Sequence, residues 1–188
     1  MYDYIIIGAG ASGLLLADAL ANDAFFHGKK ILLLDKDSKQ QNDRTWCFWE
    51  AGDGAFDPIL HRTWPNIHFA GKETILHQSI APYTYKMLRG IDFYRHYLGK
   101  INGNENITFT NDEVISVAET EESVRINGKK ETYSGKVLFD SRFDYRDLNI
   151  QKKYPVLQQH FLGWFVKVDR PVFLSDEATF MDFSIPQK

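Results

Sequence analysis

The chain has 188 residues, 44% of them apolar and 25% charged, values ordinary for a globular protein that exclude collagen-like, coiled-coil and wholly disordered accounts. Its formal net charge of −3 leaves no basic surplus, so nucleic acid is not an expected partner. Cys47 is the lone cysteine, which excludes an internal disulfide and a cysteine-based zinc site and suits a reducing compartment; no metal is expected.

Residues 4–7 form a short apolar run before glycines and predict a buried strand. Residues 12–21 are rich in Leu and Ala and predict a helix, and residues 30–34 predict a second buried strand. Strand, helix and strand within 35 residues make a βαβ unit with parallel strands. The N-terminus has no basic region, so a signal peptide is not expected, and Asp3, Asp18 and the glycines interrupt the apolar stretch, so neither is a spanning helix.

Residues 38–43 are polar and turn-like, and residues 44–50 are dense in aromatics but alternate poorly. Residues 67–70 and 73–77 flank Gly71-Lys72 and predict a β-hairpin. Residues 85–98 carry Met87, Leu88, Ile91, Tyr94 and Leu98 at helical spacing and predict an amphipathic helix. Lys86, Arg89, Arg95 and Lys100 against Asp92 would give it a local excess of three positive charges, enough to meet anionic lipid or to be an ordinary solvated face. Residues 107–109 and 114–118 predict strands. Residues 124–126 and 131–133 around Asn127-Gly128 predict a second hairpin. Residues 136–139, 161–168 and 178–183 predict three more strands. The last of these is uncovered by any following helix, so a fragment of a longer protein is expected.

Gly8, Gly10 and Gly13 stand at G-x-G-x-x-G spacing between the first strand and the helix. Such a loop turns tightly off the strand, admits a pyrophosphate to the backbone and points a helix N-terminus at it. Ala11 and Ser12 complete the loop, and Asp35 ends the second strand where a carboxylate would accept ribose hydroxyls. This is a dinucleotide-binding signature. Antiparallel material follows it instead of alternating strands and helices, which favours a two-domain flavoprotein over a simple nicotinamide dehydrogenase.

Several blocks then carry a family resemblance. They read NDRTWCFWE over 42–50, KMLRGIDFYRHYL over 86–98, LFDSR over 138–142, QQHFLGW over 158–164 and ATFMDF over 178–183. Together they resemble lycopene β-cyclase of the bacterial carotenoid type. The resemblance implies an α/β, Rossmann-like, glutathione-reductase-like FAD fold with an inserted antiparallel substrate domain, here truncated. Residues 1–60 and 86–148 would form the FAD-binding part, and 61–85 and 149–188 the start of the substrate part. It implies cyclisation of lycopene's ψ end groups to β-ionone rings, a net isomerisation, with FAD kept reduced by NAD(P)H. It also implies a much longer protein, with an acidic Phe-Leu-Glu-Glu-Thr-like segment and the principal acid beyond Lys188. The isolated chain is then expected to be inactive.

Candidate residues follow from the resemblance read together with side-chain chemistry. Trp46, Phe48 and Trp49 would line the polyene path or pack near the flavin, where aromatic faces stabilise a cation, unless they are simple core. Arg44 would touch FAD phosphate or ribose, or make a surface ion pair. Asp140 would approach the cofactor from its strand end, or cap a turn. Glu50 and Asp182 are the acids of this chain that burial could turn into proton donors. His160 and Trp164 would face substrate. The expected location is cytoplasmic, with peripheral contact at the inner membrane face to reach a lipid-dissolved substrate. The competing readings are a monooxygenase or isoprenoid reductase of the same architecture, and an inactive FAD-binding fragment.

Overall fold

The computed structural model describes residues 1–143, 148, 152–164 and 166–184. The chain divides into two compact units, Met1–Asn42 with Phe93–Val156, and Asp43–Asp92 with Leu157–Lys188.

The first unit is a six-stranded mixed sheet with helices. Its elements are β1 (Tyr2–Ile7), α1 (Ala11–Asn22) and β2 (Ile31–Asp35), then α2 (Gly90–Asn102), which starts in the other unit, and β8 (Ile107–Asn111). A meander follows, made of β9 (Val114–Glu119), β10 (Val124–Gly128) and β11 (Thr132–Asp140). The strand order is β8-β2-β1-β11-β10-β9. The four strands from β8 to β11 run parallel, and β10 and β9 add antiparallel. The expected parallel βαβ unit is present, with Ile6 beside Leu33.

Alternation along β1 sorts the core. Gly13 of α1 packs against Ile6, so Ile6 marks the helix-covered face. Ile5 and Ile7 point the other way and join Leu32, Leu34, Val124, Ile126 and Tyr133 in one buried cluster. The central strands are apolar on both faces, as a doubly covered parallel sheet requires. On α2, Ile91, Tyr94, Tyr97 and Ile101 are buried at helical spacing.

The second unit holds two three-stranded sheets. One has the order β3-β7-β4, from β3 (Thr45–Ala51), β7 (Tyr83–Arg89) and β4 (Arg62–Trp64), all antiparallel. The other has the order β12-β5-β6, from β12 (Glu177–Asp182), β5 (Asn66–Ala70) and β6 (Ile75–Ser79). There β5 and β6 are antiparallel, and β12 joins β5 in parallel.

Five expectations change. The aromatic block forms a regular strand, Thr45–Ala51, half-buried at every second residue. Residues 85–89, expected at the start of a helix, belong to β7, which pairs with β3 on one side and β4 on the other. Met87, Leu88 and Ile91 mimic helical spacing, but cross-strand pairing of a Tyr-Thr-Tyr segment prevails and the helix begins at Gly90. With Lys86 buried on β7 and Arg89 held by Asp92, the expected four-cation helix face does not form. The Asn127-Gly128 turn moves too. Asn127 pairs with Thr132 in the ladder, and the chain reverses through Lys129-Lys130, closed by Gly128 N–H to Glu131 C=O at 2.8 Å. Residues 161–164 and 166–168 form no strand, because no described strand offers them a ladder. Residue 165 and residues 185–188 lie outside the described residues.

Candidate functional site

The glycine loop closes the C-terminal end of β1, and each part of it is fixed by backbone chemistry. Gly8 has φ +100°, a left-handed conformation that disfavours any side chain. A Cβ there would also collide with Ser141 Oγ. A Cβ on Gly13 would run into the Gly8 carbonyl oxygen, so α1 can sit this close to the strand only with glycine. Gly10 differs, since a Cβ there meets nothing within 4 Å and the space in front of it is open. Gly10 is also the N-cap of α1, without a side-chain cap and without an acid in the first turn. The N–H groups of Ala11, Ser12 and Gly13 therefore start the helix with its positive dipole end uncompensated by side chains.

Two neighbouring strand ends supply the remaining groups. The Asp35 carboxylate ends β2 and accepts the Ala9 N–H at 2.7 Å and the Asp37 N–H at 2.7 Å, pinning the glycine loop to the strand. Lys39, at φ 59°, reaches back to Asp35 at 3.1 Å, and its ammonium lies 5.4 Å from the Tyr94 ring centre. Asn111 on β8 donates to the Asp35 carbonyl at 3.1 Å. Asp140 ends β11 opposite Ile7 and is gripped by Arg142 through Nε at 3.0 Å and Nη2 at 2.6 Å. Burial works to raise its pKa, but the Arg142 guanidinium and backbone N–H outweigh it and hold the carboxyl below the usual range. Ser141 donates its backbone N–H and its hydroxyl to the Ile7 carbonyl, at 3.0 and 2.8 Å. Gly8, Gly10, Ala11, Ser12, Gly13, Asp35 and Asp140 thus meet at one end of the parallel strands. Lys39, Ser141 and Arg142 escaped the sequence reading, because only the tertiary fold brings them to the loop.

The aromatic block lies in the second unit and divides by alternation. Trp46, Phe48 and Glu50 share one half-buried face of β3, while Trp49 lies on the other, 42% exposed. Phe48 meets Phe56 edge-on at 6.0 Å. Trp49 lies 4.6 Å from the Tyr85 ring and 5.4 Å from the Phe180 ring, and Trp64 completes the cluster 5.9 Å from Tyr85. Burial, followed by contact with Cys47, pushes the Tyr85 hydroxyl up to about 12. Arg44 is mostly exposed and pairs with Asp43 at 3.4 Å, while its carbonyl accepts the Gly90 N–H.

Glu50 is held by a buried lysine. Lys86 is 3% exposed and donates to Glu50 Oε2 at 2.8 Å, Asp57 Oδ1 at 2.6 Å and the Gly52 carbonyl at 3.0 Å. Asp57 and then Glu50 raise the Lys86 pKa, and Lys86 followed by the Gly54 N–H lowers that of Asp57. Lys86 forms part of the lining of an open cleft of about 480 Å³, together with Gly52, Asp57, Arg62 and Thr84.

The late candidates are placed differently from expectation. Asp182, expected buried, is exposed, and the Ser184 hydroxyl and N–H hold its carboxyl below the usual range. His160 and Trp164 are exposed in a segment without regular structure, His160 touching Gln158 at 3.1 Å. A cluster that local sequence could not reveal is His68, His77 and Glu177, the histidines 9 positions apart in sequence and His77 100 positions from the glutamate.

Among the described residues no helix is long and apolar enough to cross a membrane. No curated protein sequence matches the chain. Solved structures do match, at low identity. Halogenase PltM, crystallised with phloroglucinol and FAD, shares 14% identity at TM-score 0.54 over 79% of this chain and 36% of its own. CtdE, crystallised with FAD and a substrate, shares 18% at 0.54 over 74% and 37%. The p-nitrophenol 4-monooxygenase PnpA from Pseudomonas putida DLL-E4 shares 13% at 0.54 over 74% and 40%. The chain therefore spans well under half the length of these structures, and the likeness is one of fold, an α/β Rossmann-like fold. The family model for lycopene cyclase protein matches residues 3–188, so the chain belongs to the lycopene cyclase family.

Proposed function

We propose that this chain is part of an enzyme that cyclises the ψ ends of lycopene to β-ionone rings, using FAD held reduced by NAD(P)H. The observation that carries this reading is the family match over residues 3–188, joined to a glycine loop built to receive a dinucleotide.

The loop residues fit FAD. The N–H groups of Ala11, Ser12 and Gly13 stand at the dipole's positive end, next to the open space in front of Gly10, and would take the pyrophosphate. Asp35 would accept ribose hydroxyls, since a carboxylate has about four acceptor sites and three contacts from Ala9, Asp37 and Lys39 leave room. Asp140, Ser141 and Arg142 would border the cofactor from β11. Arg44, if it contacts phosphate, must give up a weak exposed pair with Asp43. Bound and reduced, the flavin would supply negative charge beside a developing carbocation.

The protein's own share is to protonate a terminal double bond, shelter the tertiary cation and remove a ring proton. The Trp49, Tyr85, Trp64 and Phe180 rings are a surface suited to sheltering a cation. Trp46 and Phe48 would line the polyene path from the other face of β3, with His160 and Trp164 at its later wall. Asp182 is held ionised by Ser184 and the Glu50 carboxylate is committed to Lys86, which supports an initiating acid outside residues 1–188. Membrane contact at the cytoplasmic face would give access to the substrate.

Cyclisation in D₂O tests the mechanism. Initiation by an enzyme acid deposits one solvent-derived deuterium per ring, read by mass spectrometry of the β-carotene. Rings without deuterium would refute acid initiation. Hydroxylated or hydrogenated product would favour the monooxygenase or reductase reading, which the fold likeness to PnpA supports.

A further inference from the structure

The sheet of β12, β5 and β6 carries a cluster that the proposed cyclisation does not use. His68 on β5 and His77 on β6 are direct cross-strand partners, so their side chains leave the same face. Glu177 on β12 stands two residues before Thr179, the parallel partner of His68, and the strand period of two puts it on that face as well. The groups converge there. His68 Nδ1 lies 3.4 Å from His77 Nδ1, and His77 Nδ1 lies 2.8 Å from Glu177 Oε2. All three ligating atoms fall within 4.8 Å of one another. The Glu177 side chain is 10% exposed and that of His77 56%, so the cluster is anchored below and open above.

Hydrogen bonding satisfies this arrangement poorly. An imidazole nitrogen presents either a proton or a lone pair. If His77 Nδ1 donates to Glu177, it has no lone pair left for His68. If it accepts from His68, it turns that lone pair toward a carboxylate. A cation among the three answers every lone pair at once. Around a tetrahedral zinc ion, with Zn–N about 2.0–2.1 Å, ligand atoms stand about 3.3–3.4 Å apart, which matches the 3.4 Å between the histidines, while the 2.8 Å between His77 and Glu177 would open by about 0.5 Å to admit the ion.

We propose that His68, His77 and Glu177 bind a divalent first-row transition ion of the zinc class, through two imidazole nitrogens and one carboxylate oxygen, with a fourth position open to water. Two imidazoles select such ions over magnesium and calcium, which prefer oxygen. The ligands come from all three strands of one sheet, so the ion would tie the edge strands β12 and β6 to the central β5. This departs from the expectation of no metal, which rested on the lone cysteine.

The test titrates metal-free protein with Zn²⁺ against a chromogenic chelator, beside H77A, E177Q, H68A/H77A and the surface control H27A. FAD content and far-UV circular dichroism report folding independently of the metal and of cyclase activity. Wild type and H27A should bind one Zn²⁺ per chain and gain melting temperature from it. H77A and E177Q should bind at least about tenfold more weakly, and H68A/H77A should not bind. Substitution by Co²⁺ should give a visible absorption band that the same variants lose. Absence of binding by wild type, or equal binding by wild type and H68A/H77A, overturns the proposal. If the alanine variants fail to fold, E177Q decides, since it keeps a hydrogen-bonding group beside His77 and loses only the charge. Undiminished affinity there also overturns the proposal.

Discussion

Gly10 and Gly13 stand three residues apart and answer to different forces, which separates binding from stability. A Cβ at Gly10 meets nothing within 4 Å, so Gly10→Val should fold normally and lose FAD by obstructing the pyrophosphate. Flavin absorbance after gel filtration, with melting temperature alongside, checks both halves, and undiminished FAD retention would reject the assignment. A methyl at Gly13 meets backbone, the Gly8 carbonyl carbon at 3.0 Å, and Ile6 Cγ2 at 3.3 Å. Backbone cannot swing aside as a side chain can, so Gly13→Ala should cost about 1–3 kcal/mol in urea unfolding. A neutral result would mean that α1 shifts to accommodate it. Both roles were legible in the spacing of the motif. The Lys39 contact to Asp35 was not, because it depends on the left-handed turn at Lys39, nor were the Ser141 contacts to Ile7, which join residues that only strand pairing brings together.

The strands β3 and β7 show how a local pattern can point two ways. From residue 85 apolar spacing resembles a helix, yet every residue of β7 pairs with β3 and three also pair with β4. Pairing partners are remote in sequence, so a helical period there could not reveal the outcome. The aromatic block was legible as a functional candidate but not as a strand, since its large rings occupy both faces. Trp49→Ala should therefore lower β-carotene formation while FAD stays bound, because its ring belongs to the exposed cluster with Tyr85 and Phe180. Unchanged product yield would make these rings structural only. At the β10–β11 reversal, Asp112 is buried and accepts the Tyr133 hydroxyl at 2.9 Å and the N–H groups of Glu113, Lys130 and Glu131. Burial pushes its pKa up, but these donors prevail and hold it below the ordinary 3.8. A carboxyl with a lowered folded pKa contributes stability that is complete above the unfolded value and is lost as pH falls through the folded one. Asp112→Asn should be less stable near neutrality and show a shallower loss below pH 3.8, read from urea midpoints across the acid range. An acid limb identical to wild type would remove Asp112 from that account.

For the molecule as a whole, the α/β class and the leading βαβ unit were legible because apolar runs and glycine spacing are local signals. The edges of the fold were less so. Leu157, Phe161, Leu162 and Trp164 are each at least 80% exposed, which hides any partner from a reading of periodicity. Burying such side chains would contribute about 1.5–3 kcal/mol each, so further surface to cover them is expected in the active protein. A preparation of residues 1–188 alone, given FAD, NAD(P)H, lipid and lycopene, should then yield no cyclic product, because a cation open to water is quenched. Sustained turnover would move the initiating acid into this chain, to Glu50 or Asp182. The most direct test of the central claim counts nicotinamide oxidised per β-ionone ring formed by the full-length enzyme under anaerobic conditions. A cyclase with no net redox change should form many rings for each NAD(P)H consumed, the nicotinamide serving only to reduce the flavin at the outset. Oxidation of one NAD(P)H per product, or consumption without ring formation, would contradict the account.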